Sequence, residues 1–186
     1  MFTTFLAFLL TACASTRQPA TEAQNPNALQ VGTRDNTYVL SVPASRLILY
    51  IPRGKLAPTT NPLGGAANNP RYFYFVDRPF HVSGWFEPAQ KFRGMQKWWE
   101  DETRAWSRTG LPNPINVTFT KIEGWNAVIY DTPAPLGNNS HIRAHWVQVG
   151  TWIDVHLSMT ASRPSTAIRS SLETFLKTVV VRERNQ

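Results

Sequence analysis

Two histidines and an aspartate, His145, His156 and Asp154, flank Gly150-Thr151 in a stretch where apolar and polar residues alternate. His141 to Val149 and Trp152 to Thr160 read as the strands of a hairpin, joined by a two-residue Gly-X turn of the II′ kind. With Val149 facing Trp152, the register sets His145 opposite His156, Val147 opposite Asp154, Arg143 opposite Ser158 and His141 opposite Thr160, all on one face. The other face is apolar, with Trp146, Ala144 and Ile142 opposite Val155, Leu157 and Met159. Directly opposed Cβ atoms stand about 4.5–5.5 Å apart. Two imidazoles and a carboxylate at that spacing suit zinc or another borderline divalent metal, and with it metal-assisted hydrolysis. The same residues fit a plain cross-strand histidine pair, with Asp154 held by Arg143 or by a neighbouring strand. No spaced third ligand and no His-Glu-x-x-His run accompany them. His81 reads as a lone strand histidine.

Other catalytic signatures are missing from the sequence: it has no Gly-x-Ser-x-Gly, no phosphate loop and no dinucleotide fingerprint. The one cysteine, Cys13, closes Leu10-Thr11-Ala12-Cys13 behind the apolar stretch Phe5 to Leu10. This resembles the lipobox of bacterial lipoproteins. The resemblance implies a signal peptide at residues 1–12, a lipidated Cys13 and, with Ala14 rather than Asp next, transfer to the outer membrane, facing the periplasm. The apolar stretch is shorter than the about 18 residues a spanning helix needs. No Lys or Arg precedes it. A single acyl chain binds a membrane only marginally, whereas two or three hold stably. With its thiol committed to lipid, the chain has no internal disulfide and no cysteine nucleophile.

Residues 13–31 are rich in Thr, Gln, Asn, Ala and Pro, a composition too polar to offset the entropy of ordering, and read as a tether. Residues 32–186 are then one domain, its core supplied by 7 Trp, 10 Phe and 5 Tyr. Tyr38 to Val42 and Arg46 to Ile51 are strands stopped by Pro43 and Pro52. Ala57 to Pro70 is a breaker-rich loop. Arg71 to Val76 and Phe80 to Glu87 form a hairpin, and Pro88 suits the first position of a helix. That helix, with Phe92, Met95, Trp99 and Trp106 as its apolar stripe, ends at Gly110. Ile115 to Ile122 and Trp125 to Tyr130 make a further hairpin, and Pro164 opens a second helix along Ile168, Leu172, Phe175 and Val179. The expected fold class is α+β, an antiparallel sheet with two helices packed on it in the order ββββαββββα.

That order, together with Ser83-Gly84-Trp85-Phe86 leading into a helix and Ile122-Glu123-Gly124-Trp125-Asn126-Ala127 at a central hairpin, resembles the PsbP-like fold, which includes small DcrB-like envelope lipoproteins. The resemblance implies a binding or accessory role and carries over no active site.

The formal charge is +7, from 19 Lys and Arg against 12 acids. A basic domain on a lipid tether is drawn to anionic envelope polymers or to an envelope protein. Arg46, Arg53, Lys55, Arg71, Lys91 and Arg93, with Trp98 on the flank of the first helix, are the candidate anion- or partner-binding residues. Nucleic acid is not an expected partner of an exported chain without a recognition motif. The expectation is a membrane-anchored, non-catalytic binding lipoprotein with no cofactor beyond the lipid. The alternatives are a metal-dependent envelope hydrolase and an immunity or inhibitor lipoprotein against a toxin.

Overall fold

The computed structural model describes residues 25–59, 69–134, 137–162 and 164–184. Cys13 and most of the loop from Ala57 to Pro70 lie outside them. Six strands precede the first helix: β1 (Gln30–Arg34), β2 (Thr37–Ser41), β3 (Leu47–Pro52), β4 (Ala57–Pro58), β5 (Tyr72–Asp77) and β6 (Phe80–Pro88). Then come α1 (Met95–Thr109), β7 (Ile115–Ile122), β8 (Trp125–Ala134), β9 (Gly137–Gln148), β10 (Thr151–Ala161), α2 (Ser165–Leu176) and β11 (Val180–Glu183). No helix among the described residues is long and apolar enough to cross a membrane.

The expected α+β class and its ββββαββββα order are overturned. The chain is mostly β, and its strands divide into a four-stranded sheet, β1-β2-β3-β11, and a seven-stranded sheet, β4-β5-β6-β10-β9-β8-β7. The order that carried the likeness to the PsbP-like fold is thus not the order observed. Three strands escape a reading by pattern. All five residues of β1 are exposed, so they show no alternation of apolar and polar types. β4 is only two residues long, and β11 lies beyond α2, where it pairs with β3 in the register Val180 to Tyr50.

Strands β2 and β3 alternate cleanly and bury Tyr38, Leu40, Leu47, Leu49 and Ile51. These join Phe73, Phe75, Ile142, Ile153 and Leu157 of the large sheet and Ile168, Leu172 and Leu176 of α2 in one apolar cluster. The Tyr38 and Phe75 rings stack at 4.2 Å across it. The small sheet and α2 therefore cover one face of the large sheet. Helix α1 covers part of the other, where Trp99 packs with Val128 and Tyr130.

The start of α1 also differs from expectation. Pro88 is the last residue of β6, a single 3-10 turn at Ala89–Lys91 follows, and Phe92 precedes the helix. Its end is as read: Gly110 takes a left-handed conformation, φ 72°, and donates its N–H to the Trp106 carbonyl.

The β9–β10 turn is made by Val149 and Gly150, at φ 40° and 76°, rather than by Gly150-Thr151. Two positive φ values give the I′ geometry that matches strand twist. Thr151 pairs with Gln148, and the whole register is two residues away from the expected one. A shift of two preserves which face each residue takes.

Candidate functional site

On the α1-facing side of the large sheet, register alone places His145 opposite Asp154, Arg143 opposite His156 and His141 opposite Ser158. The expected His145–His156 opposition is therefore replaced. His145 and Asp154 are both 0% exposed, beneath Phe92 and Trp98, whose rings lie 5.3 and 4.4 Å from the imidazole. The Trp152 indole donates its Nε1–H to His145 Nδ1 at 2.9 Å. Indole is only a donor, so Nδ1 accepts and the neutral ring carries its proton on Nε2. Burial, and secondarily the charge of Arg143, holds His145 well below the ordinary histidine range. Nδ1 is thus committed to Trp152 and Nε2 holds the ring proton without a partner, and His145, His156 and Asp154 do not assemble as a ligand set. Among the described residues no three His, Cys, Asp or Glu side chains gather as a metal group.

Arg143 replaces the metal as the charge that faces Asp154. Its Nη2 donates to Asp154 Oδ2 at 2.6 Å, and its guanidinium lies 5.1 Å from the ring of Trp85 and 4.9 Å from that of Trp98. Burial opposes the Arg143 charge most strongly, but Asp154, Glu102 and Tyr130 together outweigh it and the guanidinium stays ionised. Arg143 Nε, His145 Nε2 and Asp154 Oδ1 are buried without a hydrogen-bond partner.

Beyond this buried pair the sheet opens into a cleft of about 500 Å³, lined among others by Glu102, Trp106, Leu111, Tyr130, His141 and His156. Trp106 and Glu102 come from α1, Leu111 from the turn after it, and the rest from β8, β9 and β10. The floor is polar. His141 Nδ1 and His156 Nε2 are 3.0 Å apart, and His141 Nε2 is 3.0 Å from the Thr132 hydroxyl, to which Asn139 also donates. Burial first, and Arg143 next, pulls His141 down to about 4 and His156 well below its usual value, so both rings are neutral at pH 7. The Tyr130 ring stacks on His141 at 4.8 Å, and burial raises its hydroxyl pKa.

The basic candidates do not form one patch with this cleft. Lys91, Arg93 and Trp98 share a hollow of about 190 Å³ with Asp101 and Glu102. Within it Arg93 pairs with Asp101 at 2.5 Å, and Lys91 reaches out to Glu87 at 2.7 Å. Arg46 pairs with Glu183, Arg71 donates to Asn27, Arg53 lies over the Tyr38 ring at 5.8 Å and Lys55 is exposed. The sequence reading missed Glu102, Trp106, Leu111 and the His141–His156 contact. The His-rich alternation did mark the right face; the shift of two residues hid the contact. Compared with known proteins, the chain matches no family model and no curated sequence.

Proposed function

We propose that the chain is a binding protein of the bacterial envelope, held by a lipid on Cys13 at the outer membrane and facing the periplasm. Its cleft over His141 and His156 receives an apolar side chain of an envelope protein. The cleft itself carries this reading: apolar walls with a few convergent polar groups are the usual make-up of a ligand site. A second feature agrees with it. Among the described residues, four of the eight exposed large apolar side chains, Leu111, Ile115, Val117 and Phe119, lie in the turn after α1 and in the edge strand β7. Clustered exposure of that kind marks an interaction surface.

The test is a photo-crosslinking amino acid at position 111, 53% exposed and on the cleft wall, against the same group at exposed Lys177 at the end of α2. Cells should yield an adduct of defined mass from position 111 alone, lost with Trp106→Ala. Equal adducts from both positions, or none from 111, would refute the reading. Palmitate labelling abolished by Cys13→Ser checks the anchor.

A further inference from the structure

We propose that His141 and His156 form a seat for a borderline divalent transition ion, Zn²⁺ or Cu²⁺, on the floor of the cleft. Their facing nitrogens, His141 Nδ1 and His156 Nε2, are 3.0 Å apart. A tetrahedral ion bound at about 2.0–2.1 Å from each nitrogen needs them about 3.3 Å apart. A movement of a few tenths of an ångström, with the proton of His156 passing from Nε2 to Nδ1 so that both facing nitrogens present lone pairs, thus exchanges a hydrogen bond between two imidazoles for two metal bonds.

Thr132 orients the His141 ring. Its hydroxyl stands 3.0 Å from His141 Nε2 and has a second lone pair beyond the one Asn139 uses. When it accepts the Nε2–H, the lone pair of Nδ1 is left facing His156, the orientation that a metal-binding histidine takes from its supporting partner.

The charges nearby also allow a cation. Arg143 is the nearest positive group, and Asp154 neutralises it at 2.6 Å. Glu102 lines the same cleft and adds its negative charge to that of Asp154 against Arg143. The floor therefore carries no excess of positive charge. With only two protein ligands the ion keeps open positions toward the cleft, where water or a donor atom of the cleft's occupant completes its shell. Such an ion exchanges readily. The seat differs from the expected set, since His145 is closed by Trp152 and Asp154 by Arg143. It does not depend on what the cleft binds.

The experiment is equilibrium dialysis of the full lipidated chain in detergent micelles against Zn²⁺ and against Cu²⁺, with electron paramagnetic resonance of the copper form. One equivalent should bind, Cu²⁺ more tightly than Zn²⁺. The copper spectrum should show coupling to two nitrogens. His156→Asn should weaken binding by about tenfold or more, while His81→Asn leaves it unchanged. Nuclear magnetic resonance of the wild-type imidazoles provides a readout that needs no variant: Zn²⁺ should shift His141 and His156 and leave His145 and His81 in place. Absence of a stoichiometric ion, undiminished binding in folded His156→Asn, or unmoved His141 and His156 resonances would each overturn the proposal.

Discussion

Arg143 and Asp154 face each other from β9 and β10 at 2.6 Å, 7% and 0% exposed, with one nitrogen and one oxygen of the pair left without partners. The pair is electrostatically closed but incompletely hydrogen-bonded. Burial raises the Asp154 carboxyl, and Arg143 brings it back only in part, so desolvation is not fully repaid. Asp154→Ala leaves a buried guanidinium alone and should cost about 3–5 kcal/mol in urea unfolding. The apolar double variant Arg143→Met with Asp154→Leu should match the wild type or exceed it by about 1–4 kcal/mol. A double variant as weak as the single one would show that the pair itself holds the sheet.

Acid should unfold the domain earlier than its carboxylates require. In the unfolded chain an imidazole takes its proton near pH 6.5, whereas His141 takes one only at about 4, and burial likewise holds His145 well below the ordinary range. The unfolded chain binds the extra protons between those values. Stability is complete above about pH 6.5 and falls with pH, by about 1.4 kcal/mol per pH unit for each such histidine. Melting temperatures from pH 7.5 to 4.5 should drop steeply below about pH 6. A profile flat to pH 5 would mean that the imidazoles titrate as free histidine does.

Gly84 sits in β6 opposite Phe73 on one side and Val155 on the other. A Cβ there would lie 2.1 Å from the Asp154 carbonyl oxygen and 2.7 Å from the Phe73 ring. The backbone oxygen cannot swing aside as a side chain would. Gly84→Ala should destabilise by about 1–3 kcal/mol or more, read from the urea midpoint. A change below about 0.5 kcal/mol would contradict the close approach of these strands.

Val149 is a β-branched residue at φ 40° in a two-residue turn. Its side chain is 38% exposed, so replacing it disturbs little packing. Asn tolerates the left-handed conformation, and Asn-Gly is the favoured I′ pair. Val149→Asn should raise stability by about 1 kcal/mol, measured by thermal unfolding. A loss of stability would place the strain elsewhere.

That turn also shows where reading by residue type stops. Gly150 announced a tight hairpin, and parity then assigned His141, Arg143, His145, Asp154 and His156 to one face, as the structure has them. A valine with positive φ leaves no trace in its type, so the register slid by two and His145 was set against His156. Helix α1 was legible from Trp99, Trp106 and Gly110, but its start was not, because Pro88 is as acceptable at a strand end as at the first turn of a helix. The split into two sheets was invisible for a different reason. It is decided by β11 reaching β3, and a short exposed strand carries no periodic signal for so distant a pairing.

The meeting of β11 with β3 sets the timing of folding. Leu47, Leu49 and Ile51 supply the buried face of the small sheet early in the chain, yet the edge of β3 is not covered until Val180 to Glu183 arrive. Contacts so far apart in sequence form slowly, after most of the loop entropy has been lost. A chain emerging from the ribosome therefore cannot complete its first sheet until β11 has been made.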